Sequence, residues 1–143
     1  MATEKRKKKL FSCRKSTELL RSIGDTYCIV TYWNSFAHKS VDAWGFQDIQ
    51  FLRKGVTGVT AINACGEDIS THVKDYMEGD DWLKGRIRLW LECGNRFFIW
   101  AWRKRVHRLK DGSKGKDKRW DMKELEFLLE NNAVVVRETN VKT

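Results

Sequence analysis

The chain has no proline, no internal repeat and no low-complexity stretch. A proline-rich linker is therefore excluded, and nothing in the 143 residues marks a boundary between two domains. Cysteine is sparse and scattered: Cys13, Cys28, Cys65 and Cys93 include no C-x-x-C pair. That spacing argues against a disulfide framework and against a paired-ligand zinc site, and it fits reduced thiols in a cytoplasmic protein. The three histidines, His38, His72 and His107, fall in no metal-ligand spacing either. No apolar run approaches the ~18 residues that a membrane span requires. The basic start, Met1 to Lys9, lacks the apolar core of a secretory signal. The expectation is a soluble, cytoplasmic protein without a membrane partner.

What is present is a core and an uneven charge. Hydrophobic residues make up 41% of the chain, with seven Trp and seven Phe, which is far more aromatic bulk than a disordered chain carries. The net charge is +9. Met1 to Lys15 holds seven Lys or Arg against one Glu, and Arg103 to Arg119 holds nine against two Asp. These segments carry +6 and +7, so the remainder carries 9 − 13 = −4. Two concentrated basic segments on a mildly acidic body suit a polyanionic partner. In the second segment Arg103, Lys104, Arg105, Arg108, Lys110, Lys118 and Arg119 lie between Trp102 and Trp120, so cations for phosphates stand beside rings for bases. The first segment reads equally as a solvated tail over residues 1–15.

The periodicities give an element order. Leu19, Leu20 and Ile23 share a face of a helix over Ser16 to Ile23, which Gly24 stops. Tyr27 to Trp33, Phe46 to Leu52 and Val59 to Ala64 read as strands. Helices are expected over Ser70 to Glu78 and Asp81 to Cys93, the latter ending at Gly94. Arg96 to Trp102 is a strongly apolar strand, and Asp111 to Gly115 is a turn. Asp121 with Glu124 resembles a capping box, so a last helix is expected with Met122, Leu125, Leu128 and Leu129 inward. Val134 to Val136 reads as a short edge strand, and residues 137–143 as a polar tail. The sum is an α/β single domain over residues 16–136, a small mixed sheet flanked by helices in the order αβββαβ.

Gly45-Phe46-Gln47-Asp48-Ile49, then Ile62-Asn63, then a helix carrying Lys74, resembles the PD-(D/E)XK (restriction-endonuclease-like) nuclease superfamily. Within it the likeness is to small Holliday-junction-resolvase-like proteins of the kind phages carry, and it covers Glu18 to Trp102. The resemblance implies a structure-selective DNA endonuclease using Mg²⁺ or Mn²⁺, acting on branched DNA as a homodimer. It puts Asp48 at the metal-binding aspartate, Asn63 at the second carboxylate, Cys65 at the lysine, and Glu18 at the accessory helix glutamate. Lys74 would stand in for the displaced lysine, and the Ala64 carbonyl would be a further metal ligand. Glu67 and Asp68 are alternative ligands under a small shift of register. Asn63 and Cys65 depart from the family pattern, so the implied alternative is a decayed nuclease fold that binds nucleic acid without cutting.

Overall fold

A computed structural model describes residues 4–139. In chain order the elements are α1 (Glu4–Ile23), β1 (Thr26–Ile29), β2 (Thr31–Asn34), β3 (Lys39–Asp42), β4 (Ile49–Leu52), β5 (Thr60–Cys65), α2 (Ile69–Glu78), α3 (Asp81–Glu92), β6 (Arg96–Arg108), β7 (Lys114–Glu130) and β8 (Ala133–Thr139). Six strands form one mixed sheet in the order β1-β4-β5-β6-β7-β8, while β2 and β3 make a separate hairpin. All neighbours in the large sheet are antiparallel except β5 and β6, which run parallel from Thr60↔Arg96 to Cys65↔Ala101. A parallel pair needs a crossover, and α2 with α3 supplies it. The domain is α/β, as its periodicities imply. Among the described residues no helix is long and apolar enough to cross a membrane.

The sheet is buried on both faces because its central strands alternate two apolar sets. Ala61, Cys65, Phe97, Ile99, Leu125 and Phe127 pack with Ile69, Tyr76 and Ile87 of α2 and α3. Ile49, Phe51, Ile62, Phe98, Trp100, Trp102 and Met122 pack with Leu20 of α1. In the first cluster Phe97 stacks on Phe127 at 4.9 Å between centroids and meets Phe46 edge-on at 4.7 Å. Phe97 is fully buried, so Phe97→Ala should cost roughly 3–5 kcal/mol. Denaturant unfolding measures this, and a loss under 1 kcal/mol would contradict the packing described.

Four expectations from the sequence change. The basic segment expected as a tail is helical from Glu4 onward and is the first half of α1. The run Tyr27 to Trp33 divides at Val30, whose N–H donates to the Asp48 carbonyl (2.7 Å), and the chain then leaves the sheet for the β2–β3 hairpin. The expected helix over Asp121 to Leu129 is the second half of β7. Leu125 and Phe127 alternate with Glu124 and Glu126 as well as they fit a helix, and pairing with β6 along Phe97↔Phe127 to Arg108↔Lys114 decides between the periods. Finally, β8 is longer than Val134 to Val136, and the expected tail residues Arg137 to Thr139 belong to it. Residues 140–143 lie outside the described residues. Asn131 and Asn132, at φ 51° and 65°, make the two-residue turn that joins β7 to β8, the conformation Asn tolerates best after Gly.

Candidate active site and nucleic-acid interface

The turn after β3 carries the chain from Asp42 to β4. Trp44 and Gly45 both take positive φ, 58° and 88°, the Gly45 N–H donates to the Asp42 carbonyl (2.9 Å), and Ala43 bridges Gln47. This tight return brings Asp42 and Asp48 to one place. Asp48 lies at the entrance of β4, fully buried, and its Oδ2 accepts from the Ala64 N–H (2.7 Å). The same oxygen is ion-paired with Lys9 Nζ of α1. Lys9 Nζ also donates to the Ala64 carbonyl (3.0 Å). Asn63 is fully buried beside them, and its amide donates to the Phe46 carbonyl (3.2 Å) and reaches Asp42 Oδ2 at 3.4 Å. The Asp42 carboxylate is near enough for its charge to act on both Asp48 and Lys9.

The electrostatics of this pocket are those of crowded carboxylates in a dry place. Burial, with the Asp42 charge behind it, pushes the Asp48 carboxyl up to about 7 against the pull of Lys9. Burial also works against the Lys9 ammonium, but the facing carboxylates of Asp48 and Asp42 outweigh it and hold its pKa above the ordinary lysine value. Cys13, on the same stretch of α1, is pushed up to about 12 by burial and then by Asp48, so it is a thiol and not a nucleophile. Two buried oxygens in the pocket, Asp48 Oδ1 and Asn63 Oδ1, have no donor. Buried acceptors are ordinarily satisfied. Paired carboxylates with an amide oxygen and orphaned lone pairs form a hard-oxygen set of the type that Mg²⁺ or Mn²⁺ takes, so the residues fit such a cation.

Of the residues singled out in the sequence, Asp48, Asn63 and Ala64 converge. Lys74 does not join them: it lines the groove between α2 and β8 with Val73, Met77 and Val134. Glu18 is half exposed on α1 and paired with Arg14 (3.8 Å). The lysine that does stand beside Asp48 is Lys9, and the further carboxylate near it is that of Asp42. Neither has a local motif, because each reaches Asp48 only through the docking of α1 or the turn after β3. Glu67 is exposed and paired with Arg105 (2.9 Å), and it has no contact with Asp48.

The basic segments also meet. Among the described residues, β5 pairs with β6 as far as Ala101 and β8 with β7 as far as Glu124, and the β6–β7 hairpin continues past them as a two-stranded ribbon. Its root sits on α1: Trp120 packs on Phe11 at 4.6 Å, Lys15 lies over the Trp102 ring, and Trp102 Nε1 donates to Ser16 Oγ (2.9 Å). Arg105 and Arg119 are direct cross-strand partners, and Glu67 already answers the charge of Arg105. Lys104 lies over the exposed ring of Trp120 at 5.5 Å, while Lys110, Lys118 and Arg119 are exposed. Arg103 is less available: it is mostly covered and lies 4.0 Å from Asp121. The side chain of Arg108 lies outside the described residues. Trp90, Trp100 and Trp102 pack in or against the core as their spacing suggests, but Trp82 and Trp120 are substantially exposed. Comparison with protein-family models, with curated proteins and with solved structures finds no match for the chain.

Proposed function

We propose that this chain is a metal-dependent DNA endonuclease of the restriction-endonuclease-like kind, acting on branched DNA. The observation that carries the reading is the convergence of Asp42 and Asp48 with the Lys9 ammonium around the Asn63–Ala64 end of β5. The element order supports it, since α1, the antiparallel β1-β4-β5 and the parallel β6 after a helical crossover follow the αβββαβ plan.

Asp42, Asp48 and the Asn63 amide oxygen would hold Mg²⁺ or Mn²⁺, with the Ala64 carbonyl at the margin. A bound cation of this class activates water and offsets charge on the phosphorane-like transition state. The chain's own groups do the rest. The Ala64 N–H and Lys9 fix Asp48 Oδ2, leaving Oδ1 as the free lone pair. Lys9 supplies a fixed positive charge that a scissile phosphate meets on entry, a role of preorganised electrostatics. The ribbon and the outer face of α1 offer cations to the flanking backbone. A four-way junction is symmetric, so resolving it calls for two copies of the site, hence a homodimer.

A second reading, binding without cutting, is favoured by one observation: Asn63 is neutral, and Lys9 already neutralises one of the two carboxylates. Cleavage of labelled four-way junction, flap and duplex DNA with Mg²⁺ or Mn²⁺, against an EDTA control, separates the two. Metal-dependent cutting of branched substrates supports the nuclease; tight binding with no cutting under either metal replaces it with the second reading.

Both readings require the ribbon to bind phosphates. Replacing Lys118 and Arg119 together by Gln should weaken binding to all DNA sequences alike and lower the slope of log K against log salt by about 2. Anisotropy titrations over a range of salt measure this, and an unchanged slope would remove the ribbon from the interface.

A further inference from the structure

A second ligand set lies immediately beyond the first, on residues the nuclease reading does not use. Cys65 is the last residue of β5 and is almost fully buried; Asp68 is the N-cap of α2; His72 follows one turn later. One ligand atom from each lies within 4.8 Å of the other two. His72 Nε2 is 3.0 Å from Asp68 Oδ2, and Asp68 Oδ1 accepts from the Gly66 N–H (3.3 Å). Asp68 stands where an aspartate normally caps a helix, yet its side chain makes no cap hydrogen bond. The carboxylate is turned away from the helix end toward His72, with its remote oxygen anchored by backbone.

We propose that Cys65, Asp68 and His72 form a binding site for a borderline-soft divalent transition cation, of the zinc class. The donors decide the class: thiolate and imidazole select such ions, whereas Mg²⁺ keeps to oxygen. Tetrahedral zinc with ligand bonds of 2.0–2.3 Å sets its donors about 3.5 Å apart. The Asp68–His72 contact of 3.0 Å, a hydrogen bond without the ion, is somewhat shorter than that, and all three donors lie within 4.8 Å of one another. Burial pushes the Cys65 thiol up to about 12, so the cation must displace that proton to solvent before sulfur becomes the ligand, and binding strengthens as pH rises. Three protein donors leave a fourth position, which opens outward because Asp68 is exposed and His72 only partly covered. The site clamps the end of β5 to the start of α2. It is independent of the hard-cation reading, since no residue is shared with Asp42, Asp48 or Asn63.

The test titrates the reduced, untagged full chain with Zn²⁺ against a chromogenic chelator, and with Co²⁺ followed by absorption. One equivalent should bind, and the cobalt form should display a thiolate charge-transfer band with tetrahedral d–d bands. Cys65→Ser should abolish the charge-transfer band. His72→Ala and Asp68→Ala, both on accessible side chains, should each weaken Zn²⁺ by ~100-fold or more, above the ~10–100-fold that loss of an outer partner costs. They decide the matter even where Cys65→Ser does not fold. Cys93→Ser and Asp48→Asn should leave binding unchanged, which separates this site from a failure at the hard-cation pocket. Absence of stoichiometric binding would overturn the proposal. So would a band that survives Cys65→Ser in folded protein, or affinity indifferent to His72→Ala.

Discussion

Asp48→Asn is expected to lower metal-dependent cleavage by at least ~10²–10³-fold, the scale on which removal of one preorganised charged group acts. Binding of the same DNA should change little, because in the proposed reading the ribbon and the outer face of α1 would carry the phosphate contacts. Asp42→Asn should do the same, and the double variant should lose no more than the worse single variant, since the two carboxylates would serve one cation and act as a unit. Single-turnover cleavage measured beside DNA affinity checks this. The choice of asparagine matters: it keeps the volume and most hydrogen bonds of a fully buried side chain, so loss of activity cannot be assigned to a cavity. Equal activity in Asp48→Asn would move the chemistry away from this pocket.

The second large effect is on stability. Lys9 is the ion-pair partner of Asp48, and the carboxylate is fully buried while the Lys9 side chain is 18% exposed. Lys9→Ala would leave that carboxylate facing Asp42 without its cation. At about pH 9, where the carboxyl is ionised beside Lys9, breaking the pair from one side costs roughly 3–5 kcal/mol, much of it the penalty of the stranded charge. Near pH 7 Asp48, pushed up to about 7 by burial, takes up a proton and the loss is smaller. Replacing both partners, Lys9→Met with Asp48→Asn, should recover most of the loss, because a neutral pair of similar size strands nothing. Denaturant unfolding of the two singles and the double forms the cycle. A single-variant loss below 1 kcal/mol, or no recovery in the double, would mean that water reaches Asp48 and the pair is only a surface contact.

Much of the sheet was legible from local signals. Gly24 and Gly94 end α1 and α3 at φ 91° and 85°, as their positions in the sequence imply. The apolar run from Arg96 and the spacing of Ile69, Val73 and Met77 gave strand and helix correctly. The failures share one cause. Asp121 to Leu129 carries good helix formers in a pattern compatible with both periods, and only the facing strand, far away in sequence, selects β7. Lys5 to Lys9 is hydrophilic enough to read as tail, and its helix exists because Cys13, Ser16 and Leu20 further along find the sheet. At the candidate site Asp48 and Asn63 announced themselves as polar residues on apolar strands. Lys9 and Asp42 carried no such mark, since a lysine in a lysine run and an aspartate before a turn are ordinary. Cys65 and His72 carry no paired Cys or His spacing in the sequence, and only the fold sets them beside Asp68.

The contact between Lys9 and the Asn63–Ala64 strand end has a temporal side. It closes 55 residues of chain, and the hydrogen bond from Trp102 that seats α1 closes 86. Contacts so distant along the chain form late, because loop closure must be met before they return anything. During synthesis α1 leaves the ribosome ahead of β5 and β6, and the surface it docks on is complete only when β6 has emerged beside β5. The ion pair of Lys9 with Asp48 thus joins segments that emerge well apart in time.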